Sequence, residues 1–174
     1  RDTDRSRGLG DVYKRQLIKY GRFFDGARIG IALYGVNPVP GDKTPLLPVM
    51  TFRAAVIAIN TVKKGDFIGY SRGYRAKKDM RVAIISTGYA DGLPRALSNK
   101  GMIFCNGQFL KIVGKVSMDS VAVDAGDADV KIMDEVVVFG DEITVTDVAN
   151  RADTLPYEIL TGVSERVKRV YKNP

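Results

Sequence analysis

The chain contains no histidine and a single cysteine, Cys105. Nucleophilic mechanisms built on a Ser-His or Cys-His pair are thereby excluded, as are the usual zinc and iron ligand sets and an intramolecular disulfide. Proton transfer, if the chain performs it, falls to Tyr, Lys, Asp, Glu or a cofactor.

Four stretches carry residues suited to such work. Gly88-Tyr89-Ala90-Asp91-Gly92 follows the apolar run 82–86. Glycines at a strand exit permit a sharp turn that pushes Tyr89 out of the sheet, while Asp91 can bond its own turn backbone. A free phenol ionises near about pH 10, so a tyrosine base needs a positive neighbour or hydrogen bonds that stabilise phenolate. Arg28-Ile29-Gly30-Ile31 places a charge in an apolar run, which is costly unless it is paired or turned to a ligand, and Gly30 permits close backbone approach. This suits an anionic or ring-containing cofactor. In Gly114-Lys115-Val116-Ser117-Met118-Asp119-Ser120, turn amides can bind a carboxylate. Gly69-Tyr70-Ser71-Arg72-Gly73-Tyr74 is an aromatic and basic cluster that could line an entrance. Read singly, each has an ordinary alternative: a turn with an exposed tyrosine, an arginine paired with a core carboxylate, a hairpin connection, a loop.

The elements that would position these residues are mostly strands. The run 27–34 reads as a strand buried on both faces, as in a parallel sheet or barrel, and Pro, Gly and Asp over 36–47 mark a linker. Short β-rich segments follow at 49–62, 81–86, 101–104, 109–113, 120–124 and 135–139, each bounded by Gly, Asp or Asn. With no helix-length segment between them, they predict an all-β barrel or sandwich. The tail predicts short helices over 146–151 and 156–162, with Thr146 and Thr154 as candidate N-caps, and a last basic strand over 167–171.

The formal charge is +7. The positive residues are scattered, the densest group being Arg166, Lys168, Arg169 and Lys172, and no basic stripe is interleaved with aromatics; a solvated surface and no nucleic-acid partner are expected. No apolar stretch is long enough for a membrane helix, so a cytoplasmic chain with no membrane partner is expected. Residues 1–16 lack apolar periodicity and resemble a translated sequencing adapter; a disordered native arm is the alternative.

Taken together and in this order, Arg28-Ile-Gly-Ile-Ala-Leu-Tyr-Gly, Gly69-Tyr-Ser-Arg-Gly-Tyr, Gly88-Tyr-Ala-Asp-Gly-Leu-Pro-Arg95 and Gly114-Lys-Val-Ser-Met-Asp119 resemble the C-terminal part of the alanine racemase family, over about Arg28 to Tyr171. The resemblance implies a mainly β fold class: a C-terminal β-barrel or sandwich domain with a remnant of the last strand of an upstream (β/α)8 barrel that carries pyridoxal 5'-phosphate (PLP) on a lysine. Residues 17–35 would be that remnant, 36–47 the linker and 48–174 the β-domain. It implies a homodimer whose active sites are shared between subunits and whose small-molecule substrate is alanine. Tyr89 would be the catalytic tyrosine that handles the Cα proton of the L-enantiomer, with the PLP lysine on the other face. Racemisation needs two such bases, because one removes the proton and the other returns it from the far side. Met118 would offer its backbone amide to the substrate carboxylate. Arg28 would face the pyridine nitrogen of PLP and leave it largely unprotonated, and Gly30 and Ile31 would bind the phosphate.

Lys115 stands where many relatives have arginine, Ser117 where they have cysteine, and Glu165 where some have a tyrosine near the phosphate. The resemblance further implies that this chain alone is inactive, because the PLP lysine lies upstream. A serine or broad-specificity racemase is the neighbouring alternative. A non-catalytic β-barrel interaction module is the alternative from another class.

Overall fold

The structure, a computed structural model of the chain, describes residues 10–11, 27–28, 30–38 and 44–172. The chain forms two compact units, Arg1–Met50 and Thr51–Pro174. In the first, β1 (Gly10–Asp11) and β2 (Ala27–Arg28) pair in parallel, Gly10 opposite Ala27. The chain then enters a 3-10 turn, Ile31–Tyr34, closed by Gly35 at φ 81°. The strand expected over 27–34 is thus cut short. Ile31 is buried while Leu33 and Tyr34 are exposed, so the apolar run serves one face of a turn and not two faces of a sheet. A Cβ on Gly35 would stand 2.3 Å from the carbonyl oxygen of Leu47, which is why the turn closes on a glycine. Apart from Gly10 and Asp11, the adapter-like segment 1–16 lies outside the described residues, as do 17–26 and 29 of the expected barrel remnant, the Arg28 side chain and 39–43 of the expected linker.

In the second unit the strands are β3 (Phe52–Val62), β4 (Phe67–Ile68), β5 (Tyr74–Arg75), β6 (Met80–Ile85), β7 (Met102–Cys105), β8 (Gln108–Ile112), β9 (Val121–Asp124) and β10 (Glu135–Phe139). Six of them close an antiparallel barrel in the order β10-β3-β6-β9-β8-β7, sealed where Val137 of β10 meets Phe104 of β7. Period-2 burial builds it: Ile103 and Cys105, Leu110 and Ile112, Val121 and Val123, Val136 and Val138 are all buried. β3 serves two partners. Its first residues pair with β10 and the rest with β6, and the register with β6 skips Ile57 between Val56 and Ala58. The bulge leaves Ile57 exposed. The barrel or sandwich expected from the sequence is a barrel, and its six strands lie within two or three residues of their expected ends.

β4 and β5 form a separate hairpin over a second apolar cluster of Ile68, Ala76, Met80, Val82 and Val113, against which Tyr74 packs. Strands of two residues leave no alternation to read, and this hairpin was expected only as a loop.

Two helices follow, α1 (Val145–Ala152) and α2 (Pro156–Gly162), which pack on each other, and α1 also packs on the short turn Arg95–Leu97. α1 buries Val145, Val148, Ala149 and Ala152, one helical face. Its N-cap is Thr144 and not Thr146: Thr144 Oγ1 accepts the Asp147 amide at 3.1 Å and an Asp147 oxygen accepts the Thr144 amide at 3.1 Å. Thr154 is likewise not a cap; its hydroxyl bonds the Glu158 carboxylate, and α2 starts from Leu155 with Pro156 in its first turn. The strand expected over 167–171 is absent. The barrel is already closed and offers no edge to it, and Val170 and Tyr171 are exposed. Arg169 instead anchors the tail by donating to the Val163 carbonyl at 3.1 Å.

Candidate active site

Tyr89 sits on the turn that leaves β6, and it is exposed. The turn is closed from inside by Asp91, whose Oδ2 accepts the Gly88 amide at 3.0 Å. Gly88 allows the turn to lie directly on the loop that carries Met118: a Cβ there would stand 2.3 Å from the Ser117 carbonyl oxygen and 2.4 Å from Met118 carbonyl atoms. The two motifs are then stitched together. Tyr89 donates its amide to the Ser117 carbonyl and Ala90 donates to the Met118 carbonyl, both at 2.9 Å. Met118 itself is exposed, and among the described residues its own amide donates no hydrogen bond. That leaves it suited to a carboxylate.

The hairpin of β4 and β5 reaches the other end of the same loop. Gly69 at φ 75° and Gly114 at φ 84° let the backbones meet: a Cβ on Gly69 would be 3.1 Å from the Lys115 amide nitrogen, and one on Gly114 would be 2.9 Å from the Ile68 carbonyl oxygen. Lys115 lays its stem beside Gly73, where a Cβ would come within 2.9 Å of Lys115 Cγ. Between the two glycines the hairpin tip is strained. Ser71 and Arg72 both take positive φ, 53° and 54°, an uncommon conformation for residues with side chains that costs about 1–3 kcal/mol each. Tyr70 is 71% exposed, while Tyr74 packs inward. Arg72 and Arg75 stack over the Phe67 ring at 5.1 and 5.8 Å, which keeps two cations on this hairpin.

Tyr70, Tyr89 and Met118 therefore flank one loop, 114–118, and three of the four sequence motifs converge on it. The fourth belongs to the first unit. There Gly30 is exposed, and the amides of Ile31 and Ala32 that open the 3-10 turn donate to nothing among the described residues. Among the described residues no group of His, Cys, Asp and Glu could hold a metal ion, and no helix is long and apolar enough to cross a membrane.

Residues 49–171 match the model of the alanine racemase C-terminal domain family. The chain belongs to the alanine racemase family. It is 43% identical over 165 residues to the alanine racemase of Brucella canis, covering 86% of this chain and 42% of that one. It is also 43% identical over 149 residues to the catabolic alanine racemase of Rhizobium johnstonii, covering 84% and 40%. A crystal structure of alanine racemase from Bartonella henselae with covalently bound pyridoxal phosphate superposes with a TM-score of 0.82 at 42% identity, covering 86% of this chain and 42% of that one. The chain thus spans about 40% of the length of the curated relatives it matches. Membership gives the unrelated interaction-module reading no support.

In this alanine racemase domain the departures from the family pattern are accommodated. Ser117 donates its hydroxyl to the Ser120 carbonyl at 2.6 Å and so closes the Met118 loop on itself. Glu165 is exposed in the tail beside Arg166. What the motifs did not reveal is Asn99, whose side-chain amide accepts the Gly114 amide at 2.7 Å and donates to the Gly73 carbonyl at 3.0 Å. A lone Asn within Leu97-Ser-Asn-Lys-Gly101 reads as loop, and its partners are remote in sequence.

Proposed function

We propose that the full-length protein is a PLP-dependent alanine racemase acting as a homodimer, in which this domain supplies one of the two bases and a backbone donor for the substrate carboxylate. The reading is supported most directly by the pair of backbone hydrogen bonds that join the Tyr89 turn to the Met118 loop, in a chain of this family. Met118 would hold the carboxylate through its free amide. The second base would be the lysine that carries the cofactor, from the part of the protein that this chain does not span.

The Gly30 turn fits a phosphate: an exposed glycine followed by two unengaged amides is the backbone chemistry that anions seek. Gly30 and Ile31 would hold the phosphate and Arg28 would face the ring nitrogen. When bound, PLP supplies the electron sink that lets the Cα proton leave.

The turn motif nominates Tyr89 as the base on this side, and its turn is the one stitched to the loop that offers the Met118 amide. The test is alanine racemisation by the full-length, PLP-loaded protein and its variants, with serine as a comparison substrate. Tyr89→Phe is expected to lower kcat by about 100-fold or more, the usual worth of a positioned base. A larger loss in Tyr70→Phe moves the role to Tyr70. Full activity in Tyr89→Phe, or no racemisation by the unmodified protein, overturns the proposal.

A further inference from the structure

We infer that the cleft between the β3–β4 turn and the end of β5 is a binding site for a phosphate-type oxyanion. The cleft's own chemistry supports this, whichever reaction the full-length protein performs.

The cleft measures about 500 Å³ and is lined by Lys64, Gly65, Arg75, Ala76 and Lys77, three cations and no acid. A space of that size suits a small ligand. Its walls are held together by backbone. Gly65 donates its amide to the Ala76 carbonyl at 2.9 Å, and Ala76 donates to the Asp66 carbonyl at 2.8 Å, which pins the turn to the strand. Ala76 is itself buried in the apolar cluster under the hairpin, so the cleft has a fixed floor.

Arg75 is preset for an anion. Its Nε donates to the Gly65 carbonyl at 3.2 Å and its guanidinium lies 5.8 Å from the Phe67 ring centroid, two contacts that hold the fork in place. Its terminal nitrogens donate to nothing among the described residues, and a planar pair of N–H donors is what phosphate accepts from an arginine. Gly65 keeps that fork open: at φ 98° it carries no side chain, and a Cβ there would stand 3.9 Å from Arg75 Nη2. The neighbouring acids are engaged elsewhere. Asp79 accepts from the Lys64 amide and the Lys63 ammonium, both at 2.9 Å, and Asp66 accepts from the Lys63 amide at 3.2 Å. Lys64, Arg75 and Lys77 form no ion pair among the described residues, and the Lys77 amide donates to nothing there. Three like charges thus face one cleft, and an anion bridging the turn to the strand would relieve them through charge-assisted hydrogen bonds.

Equilibrium dialysis of inorganic phosphate against the full-length, PLP-loaded protein at constant ionic strength tests this, with methyl phosphate as a second probe. One saturable site per chain is expected, with a dissociation constant of about 1 mM. Arg75→Gln should weaken binding by about tenfold or more, and Arg75→Lys, which keeps the charge but loses the fork, by less. Lys64→Gln and Lys77→Gln should each weaken it by about threefold. Both lysines are exposed, so their variants keep the unliganded melting temperature and decide the matter even if Arg75→Gln folds poorly. Lys168→Gln, outside the cleft, should leave the affinity unchanged and so separates a site from general surface charge. Tighter binding of methyl phosphate supports the site with the phosphoryl group of a larger molecule as its ligand; tighter binding of inorganic phosphate supports it with the free ion. No saturable binding of either anion, unchanged affinity in Lys64→Gln and Arg75→Gln, or an equal loss in Lys168→Gln overturns the inference.

Discussion

Arg166 Nε lies 3.6 Å from Oδ1 of Asp91, tying the C-terminal tail to the turn that presents Tyr89. The other Asp91 oxygen accepts the Gly88 amide. The two contacts differ in worth because Asp91 is largely buried, its side chain 15% exposed, and Arg166 is 55% exposed. Asp91→Ala strands a half-buried amide and should cost about 1–3 kcal/mol. Arg166→Ala removes one exposed partner of a loose ion pair and should cost at most about 1 kcal/mol. Asp91→Asn keeps an acceptor for Gly88 and should fall near Arg166→Ala. Urea midpoints of the three variants check the order; equal losses in Asp91→Ala and Arg166→Ala would move the weight to the ion pair.

Gly88 and Gly107 separate two reasons for a glycine. Gly88 needs no positive φ, yet a Cβ there would meet the 117–118 backbone at 2.3–2.4 Å, and backbone cannot step aside. Gly107 has φ 80° with open space around it. Gly107→Ala should therefore cost only the conformational penalty, about 1–2 kcal/mol. Gly88→Ala should cost more, about 3 kcal/mol or beyond, by prising the Tyr89 turn off the Met118 loop. Thermal unfolding ranks the two, and exchange of the Tyr89 and Ala90 amides reports whether the stitch has opened.

The barrel was legible because strands such as β7, β8 and β9 bury alternate residues, and that period survives in β7 and β9 as plainly in sequence as in space. The hairpin of Phe67–Ile68 and Tyr74–Arg75 was not, since its stability comes from seating Ile68 and Tyr74 on a cluster that includes Val113. The same holds for the site. Tyr89 and Met118 stand out through their glycines and turn residues, and Asp91 closes its turn as its type suggests. Asn99 carries no local signal, because its two hydrogen bonds exist only once residues 73 and 114 have been brought to it. The terminal run 167–171 misled for the converse reason: its residues suit a strand, but a closed barrel offers no edge.

Met133 has φ 75° and is mostly exposed, so its side chain gains little from burial while its backbone bears the left-handed penalty. That penalty is about 1–2 kcal/mol, and glycine's extra freedom in the unfolded chain returns only about 0.5–1 kcal/mol of it. Met133→Gly should stabilise the domain slightly, raising its urea midpoint with an unchanged m-value. A lower midpoint would mean that the Met133 side chain makes a contact worth more than the strain.

Cys105 is sealed in the barrel at 1% exposure, and burial foremost, with the negative charge of Asp134 second, pushes its thiol above the ordinary value. Two results are expected. A thiol reagent at neutral pH should modify Cys105 only as fast as the barrel opens, and urea should accelerate the reaction in step with unfolding. The linkage runs toward alkali: because the folded thiol holds its proton more tightly than the unfolded one, its stabilisation is complete below the unfolded thiol's ionisation and is lost as pH rises through the folded value. Stability should accordingly decline in the alkaline range, and Cys105→Ala should lower stability at neutral pH through the lost packing while flattening that alkaline decline. An undiminished alkaline slope in Cys105→Ala would assign the decline to other groups.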